Sequence, residues 1–183
     1  MISYLITDPL FYGSTPESLK NKLTEILHKY RVDYVCFRDK STTIYEKIAE
    51  AFIATSKEAK IENIFLHSNV ELASKLKADG IHLTSTQFDQ IAKAKKLKLK
   101  VIISTHSKEE IEKAINLGAD AVTYSPIFAS KNKGEPKGIE DLQTTVNSSE
   151  IDIFALGSII TATQIKQVES SGAYGFASIR YFL

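Results

Sequence analysis

The chain repeats one unit eight times: a short run rich in β-branched and aromatic residues, a polar turn, then a longer stretch with helical periodicity. That alternation restricts the outcome to folds in which parallel strands are joined by covering helices. Strands are expected over residues 3–7, 33–37, 64–67, 80–83, 100–104, 121–124, 153–156 and 174–177. Helices are expected over 16–30, 43–60, 70–76, 88–97, 108–117, 139–146 and 162–171. In the first of these, Leu19, Leu23, Ile26 and Leu27 share one face. Thr15 before Pro16 reads as an N-cap followed by proline at the first helical position, and Ser107 with Glu110 has capping-box spacing. A helix-to-strand junction recurs as Lys77-Ala78-Asp79-Gly80-Ile81, Gly118-Ala119-Asp120-Ala121-Val122 and Gly172-Ala173-Tyr174-Gly175-Phe176, a weak internal repeat of βα units.

Eight units in 183 residues leave about 23 residues each, short of the ~250-residue norm for a (β/α)8 TIM barrel but compatible with one built on minimal loops. An open doubly wound sheet would show the same alternation, yet no glycine-rich fingerprint follows the first strand to favour it. We therefore expect one α/β barrel domain over residues 1–183. After the last strand too few residues follow for a full eighth helix, so the terminal helix is expected to be truncated. Exposed Tyr181, Phe182 and Leu183 would then favour a second copy of the chain, a homodimer.

Charge and cysteine content narrow the function classes. Lys plus Arg number 23 against 22 Asp plus Glu, a net charge of +1 that gives no field for nucleic acid or an anionic membrane. The single Cys36 excludes an internal disulfide framework and a cysteine-rich metal site, and it suits a reducing compartment. Without a signal-like start or an apolar run of the ~18 residues that a membrane span needs, a cytoplasmic protein is expected.

In a barrel the chemistry sits where strands end. Arg38 and Lys40, two residues apart, point to the same side if the strand continues, and together they suit a phosphate or pyrophosphate. Arg38 can also pair locally with Asp8 or Asp39. Lys131, Lys133 and Lys137 lie on the longest irregular stretch, 125–138, a candidate lid, although as lysines alone they read better as solvated. Gly157-Ser158 and Ala177-Ser178-Ile179 follow the seventh and eighth strands, where barrels hold a phosphate on backbone N–H groups. His67, His82 and His106 end consecutive strands and raise the alternative of a His-ligated metal hydrolase. His82 lies inside its strand and reads better as a hydrogen-bonded core histidine, and Cys36 as a small core residue.

These pieces in this order resemble the thiamine-phosphate synthase family, which includes thiazole tautomerases of the TenI type. Tyr4-Leu5-Ile6-Thr7-Asp8 is similar to its Tyr-Leu-Val-Thr-Asp, Phe37-Arg38-Asp39-Lys40 to Leu-Arg-Glu-Lys, and Ala78-Asp79-Gly80-Ile81-His82-Leu83 to Ala-Asp-Gly-Val-His-Leu. Ser104 opens a segment like Ser-x-His, and the residues from Pro126 to Lys133 resemble Pro-x-Phe-x-Thr-x-Thr-Lys. The resemblance implies a (β/α)8 barrel in which hydroxymethylpyrimidine pyrophosphate loses pyrophosphate and a thiazole phosphate captures the pyrimidine methylene, with Mg²⁺ as the metal. It assigns Arg38, Lys40 and Lys133 to the pyrophosphate, Ser104 to substrate and Ser130 to the thiazole phosphate.

The departures from the family pattern fall on its chemistry. Cys36 stands where the family has Gln, His67-Ser68 replaces Asn-Asp, and Thr84-Ser85-Thr86-Gln87 replaces a Gly-Gln-Glu-Asp-like stretch, with Asp89 two positions late. Both carboxylates that would hold Mg²⁺ are therefore missing, and the metal needs hard oxygen ligands. Arg180 replaces the terminal phosphate-binding Ser, and Pro126 occupies the place of the tautomerase His, leaving His67 or His106 as a proton-transfer group. A small phosphorylated substrate is expected, with slow or absent condensation. A non-catalytic phosphate-ligand binding or regulatory barrel is the alternative.

Overall fold

A computed structural model of the chain describes residues 1–129 and 134–183. Eight parallel strands close into a barrel in sequence order: β1 (Ile2–Ile6), β2 (Tyr34–Phe37), β3 (Asn63–His67), β4 (Gly80–Leu83), β5 (Lys100–Thr105), β6 (Ala121–Tyr124), β7 (Asp152–Leu156) and β8 (Gly175–Ser178). Each expected strand is present to within a residue or two at its ends. The covering helices are α1 (Pro9–Tyr12), α2 (Pro16–Lys29), α3 (Tyr45–Glu58), α4 (Val70–Lys75), α5 (Ile91–Lys96), α6 (Lys108–Asn116), α7 (Gly138–Asn147) and α8 (Ala162–Ser170). A turn of 3-10 helix, Phe88–Gln90, takes the start of the helix expected from residue 88.

Local chemistry sets the element ends. Thr15 accepts a hydrogen bond from the Ser18 amide in a full capping box, with Pro16 opening α2 as expected. At α6 only half of the expected box forms: Ser107 accepts from the Glu110 amide, while the Glu110 carboxylate accepts instead from the His106 amide at 2.6 Å. α1 was not foreseen. Its signal is the pair Asp8-Pro9, since the Asp8 carboxylate accepts from the Leu10 amide at the N-terminus of the turn.

The recurrent junction has a physical cause. Lys77, Gly118 and Gly172 take positive φ values of 55°, 84° and 80°, which end one helix and turn the chain into the next strand. Asp79 and Asp120 then accept from the amides of Ile64 and Val101 at 2.9 and 2.7 Å, and Asp33 does the same for Ser3 at 2.9 Å. These carboxylates tie neighbouring strands together at the end of the barrel opposite the strand C-termini.

Strand register places one set of side chains inside. Tyr4, Ile6, Cys36, Phe65, Ile102, Ala121, Phe154 and Ala177 form the inner cluster, and the outward-facing apolar residues pack under the helices. The aromatics fit because glycines face them: a Cβ on Gly80 would lie 2.2 Å from Phe65 Cε1. Cys36 is fully buried in this cluster, and burial pushes its thiol up to about 12.

Among the described residues no helix follows β8, in line with the truncated end that was expected. The tail corrects another expectation. Phe182 is buried and stacks on Phe176, and Tyr181 packs edge-on against both rings, so these side chains are not exposed as supposed. Only Leu183 of the three is exposed, and a second copy docking on Tyr181 and Phe182 would have to displace this packing. No helix among the described residues is long and apolar enough to cross a membrane.

Candidate functional site

A cavity of about 550 Å³ opens at the C-terminal ends of the strands. Its lining includes Arg38, Lys40, His67, Ser104, His106, Gly157, Ser158, Ser178 and Arg180, so every expected site residue that the structure describes meets there. Ser130 and Lys133, like Lys131, lie outside the described residues. Lys137 does not join: its ammonium sits 4.8 Å from the centre of the Tyr124 ring.

The β2 end is held by its neighbour. The Arg38 amide donates to Thr7 Oγ1 at 2.9 Å, and its guanidinium donates to Asp8 Oδ2 at 3.2 Å, so the local ion pair that the sequence allowed is formed. Of the two candidate partners it is Asp8; Asp39 instead turns Oδ1 to the amides of Ser41 and Thr42. Arg38 nevertheless lines the cavity with Lys40.

The floor is a buried polar chain. Tyr4 Oη lies 3.0 Å from His82 Nδ1, and His82 Nε2 lies 3.1 Å from Ser104 Oγ. His82 is thus the hydrogen-bonded core histidine that its place in the strand suggested. Burial, then the neighbouring His67 and Arg38, hold it well below the usual imidazole range. Beside it, His67 Nδ1 lies 2.8 Å from Ser68 Oγ. Burial, followed by the charges of Arg38 and Lys40, pushes His67 from 6.5 down to about 4. Both imidazoles are neutral at pH 7.

The positions expected to carry metal carboxylates are adjacent in space but neutral. Gln87 Nε2 donates to the Ser68 carbonyl at 3.0 Å, and Gln87 Oε1 accepts from the Thr84 amide at 3.1 Å. Asp89 is exposed and bonded to Gln90. Among the described residues no Asp or Glu lines the cavity and no cluster of His, Cys, Asp and Glu could hold a metal ion, so the three histidines do not form the site that the His-ligated hydrolase needs.

At the other side, Gly157 has φ +115°, and a Cβ there would fall 2.7 Å from Pro126 Cα. That close approach lets the segment after β6 run along β7, with Ile127 N donating to Leu156 O and Phe128 N to Gly157 O. Ser178 contributes differently from what was expected. Its hydroxyl donates to Ile159 O at 2.7 Å and accepts from Tyr181 N at 3.1 Å, so it ties the β8 end to the loop after β7. Arg180 is exposed at the rim and has no carboxylate partner among the described residues. His106 is also at the rim, its Nδ1 3.0 Å from the Ser125 carbonyl. The apolar walls Ile6, Leu156 and Ile160 were not singled out from sequence, and Ile179 was named only for its backbone, although inward alternation along β1, β7 and β8 points to Ile6, Leu156 and Ile179.

Residues 3–182 match the family model described as "Thiamine monophosphate synthase". The chain is 34% identical over 185 residues to "Putative thiamine-phosphate synthase 2" of Aquifex aeolicus, covering 98% of this chain and 96% of that one. It is 27% identical over 173 residues to "Thiamine-phosphate synthase" of Caldicellulosiruptor bescii, covering 88% and 78%. Among solved structures, thiamine phosphate pyrophosphorylase from Pyrococcus furiosus superposes with a TM-score of 0.82 at 24% identity, over 97% of this chain and 85% of that one. The N-acetylmannosamine-6-phosphate 2-epimerase from Clostridium perfringens shares the fold with a TM-score of 0.75 at 14% identity, over 99% and 87%.

Proposed function

Because the chain belongs to the thiamine monophosphate synthase family, we propose that its cavity binds a thiazole phosphate and does so without a divalent metal. Its role is that of a synthase- or TenI-like barrel of thiamine biosynthesis. The observation that carries the metal-free reading is a cavity lined by Arg38, Lys40 and Arg180 with no carboxylate among its described residues. Members of the family are in general Mg²⁺-dependent, but this lining does not fit Mg²⁺, which is ordinarily held by one or two carboxylates beside the substrate phosphates. Cationic side chains do for the anion what the metal would otherwise do.

In this reading Arg180 and the backbone at Gly157 and Ser158 hold the phosphate, and Ile160, Leu156 and Ile179 bury the ring. Arg38 and Lys40 receive a second anionic group, the pyrophosphate of a pyrimidine partner, to which the family resemblance adds Lys133, while it assigns Ser130 to the thiazole phosphate. Ser104 contacts the substrate from the floor. Calorimetric titration with thiazole phosphate tests the proposal: the affinity is expected to be the same in EDTA and in excess Mg²⁺, and about tenfold or more below it for the dephosphorylated alcohol. Binding that collapses on chelation, or equal binding of the alcohol, would overturn it. A second reading, proton transfer on the bound thiazole, is favoured by His67 and His106 both lining the cavity. Isomerisation of a thiazole phosphate that is lost in the His67→Gln and His106→Gln double variant would establish it.

A further inference from the structure

Tyr4, His82 and Ser104 make a continuous chain from the barrel interior to the cavity floor, with links of 3.0 and 3.1 Å. The Tyr4 and His82 rings are stacked, with centroids 5.7 Å apart, and both residues are buried. A neutral imidazole has one N–H and one acceptor nitrogen, so the chain runs in one of two directions. Either Tyr4 donates to Nδ1 and Nε2–H donates to Ser104, or Ser104 donates to Nε2 and Nδ1–H donates to Tyr4.

The lower end decides between them. The buried phenol keeps its proton and needs an acceptor; His82 Nδ1 lies within hydrogen-bond distance of it, and the Cys36 thiol is buried in the same inner cluster. Sulfur is a weak acceptor and an imidazole nitrogen a strong one. The reverse direction would leave the phenol proton on sulfur. In the forward direction each group donates to the next: Tyr4 O–H to Nδ1, Nε2–H to Ser104.

We infer that Tyr4 and His82 are positioning residues that fix Ser104 as a hydrogen-bond donor aimed into the cavity, selecting ligands that present an acceptor atom there, a phosphoryl oxygen or an unprotonated ring nitrogen. With Nε2–H occupying one lone pair of Ser104 Oγ, the hydroxyl hydrogen has no acceptor among the described residues and faces the space that a ligand would fill. A ligand acceptor at that point satisfies the hydroxyl hydrogen, whereas a ligand N–H or O–H there leaves it without an acceptor. The ligand part of this inference rests on the proposed thiazole-phosphate site; the direction of the chain does not.

The test has two arms. In the ligand-free wild-type protein, nitrogen–proton correlation NMR of the histidine rings is expected to find His82 protonated on Nε2 alone. Protonation on Nδ1, or on both nitrogens, overturns the inference. In the second arm thiazole phosphate is titrated into variants: Ser104→Ala and His82→Leu are each expected to weaken binding about tenfold, the scale of one charge-assisted hydrogen bond. His82→Gln, which can place an amide N–H near the lost Nε2, is expected to recover most of what His82→Leu loses, a rescue that a merely structural histidine would not show. Equal losses in the two His82 variants count against the inference. Wild-type protein that fails to bind thiazole phosphate while His82 carries its proton on Nε2 refutes the functional reading and leaves the chain's direction standing.

Discussion

His67 is 9% exposed and lies near two cations, so its imidazole is held neutral by its surroundings. Its folded pKa of about 4 lies below the usual 6.5, so the unfolded chain takes up this proton first. The stability it permits is complete above pH 6.5 and is lost as the pH falls toward 4. By linkage the loss at this site is about 3 kcal/mol between pH 7.5 and pH 4. Urea unfolding at those two pH values should therefore show a smaller difference for His67→Gln than for the wild type. Arg180 is a second test at this scale. Arg180→Ala should weaken thiazole phosphate by about tenfold or more, the worth of a charge-assisted contact, with little change in unfolding midpoint because the side chain is exposed. Arg38 and Lys40 do both line the cavity, but β2 ends at Phe37, so they reach it from the loop after the strand and not by the strand alternation from which their shared side was expected. The engagement of the Ser178 hydroxyl was not legible because its partner, Ile159 O, lies 19 residues away on another loop.

The loop after β7 and the segment after β6 act as one piece through Gly157. Gly157→Ala combines a positive φ of +115° with a Cβ 2.7 Å from backbone, so it should cost at least about 2 kcal/mol and weaken ligand binding together. Thermal unfolding and calorimetry on the same variant check both halves; loss of stability with unchanged affinity would detach this loop from the phosphate site. Element boundaries were legible wherever a cap or a small-residue turn marked them, as at Thr15 and Gly118. The turn α1 escaped notice because four residues carry no periodicity, although its cap, Asp8, is also the residue that pairs with Arg38.

Across the whole molecule, the chain brings cations from beyond β2 and from beyond β8 to one cavity while the described residues lining it at the ends of β3 and β4 are neutral. Condensation of hydroxymethylpyrimidine pyrophosphate with thiazole phosphate is accordingly expected to be slow or absent, since losing ~4 kcal/mol of metal stabilisation costs about a thousandfold in rate. An assay of thiamine-phosphate formation with Mg²⁺ decides it, and turnover typical of a working synthase would refute the expectation. Gain of activity on converting Ser68 and Gln87 together to Asp would trace the loss to those positions, which the Gln87-to-Ser68 hydrogen bond already places side by side. The sequence by itself determined the barrel, the strand positions and the end of the barrel at which Arg38, Lys40, Gly157 and Arg180 lie, because periodicity and capping are local properties of the chain. Only the tertiary structure decided that Arg38 pairs with Asp8, that Ser178 serves the backbone, that Phe182 is buried, and that Tyr4, His82 and Ser104 form one chain. Those facts depend on which residues from distant strands become neighbours, and closing the barrel sets that through its register.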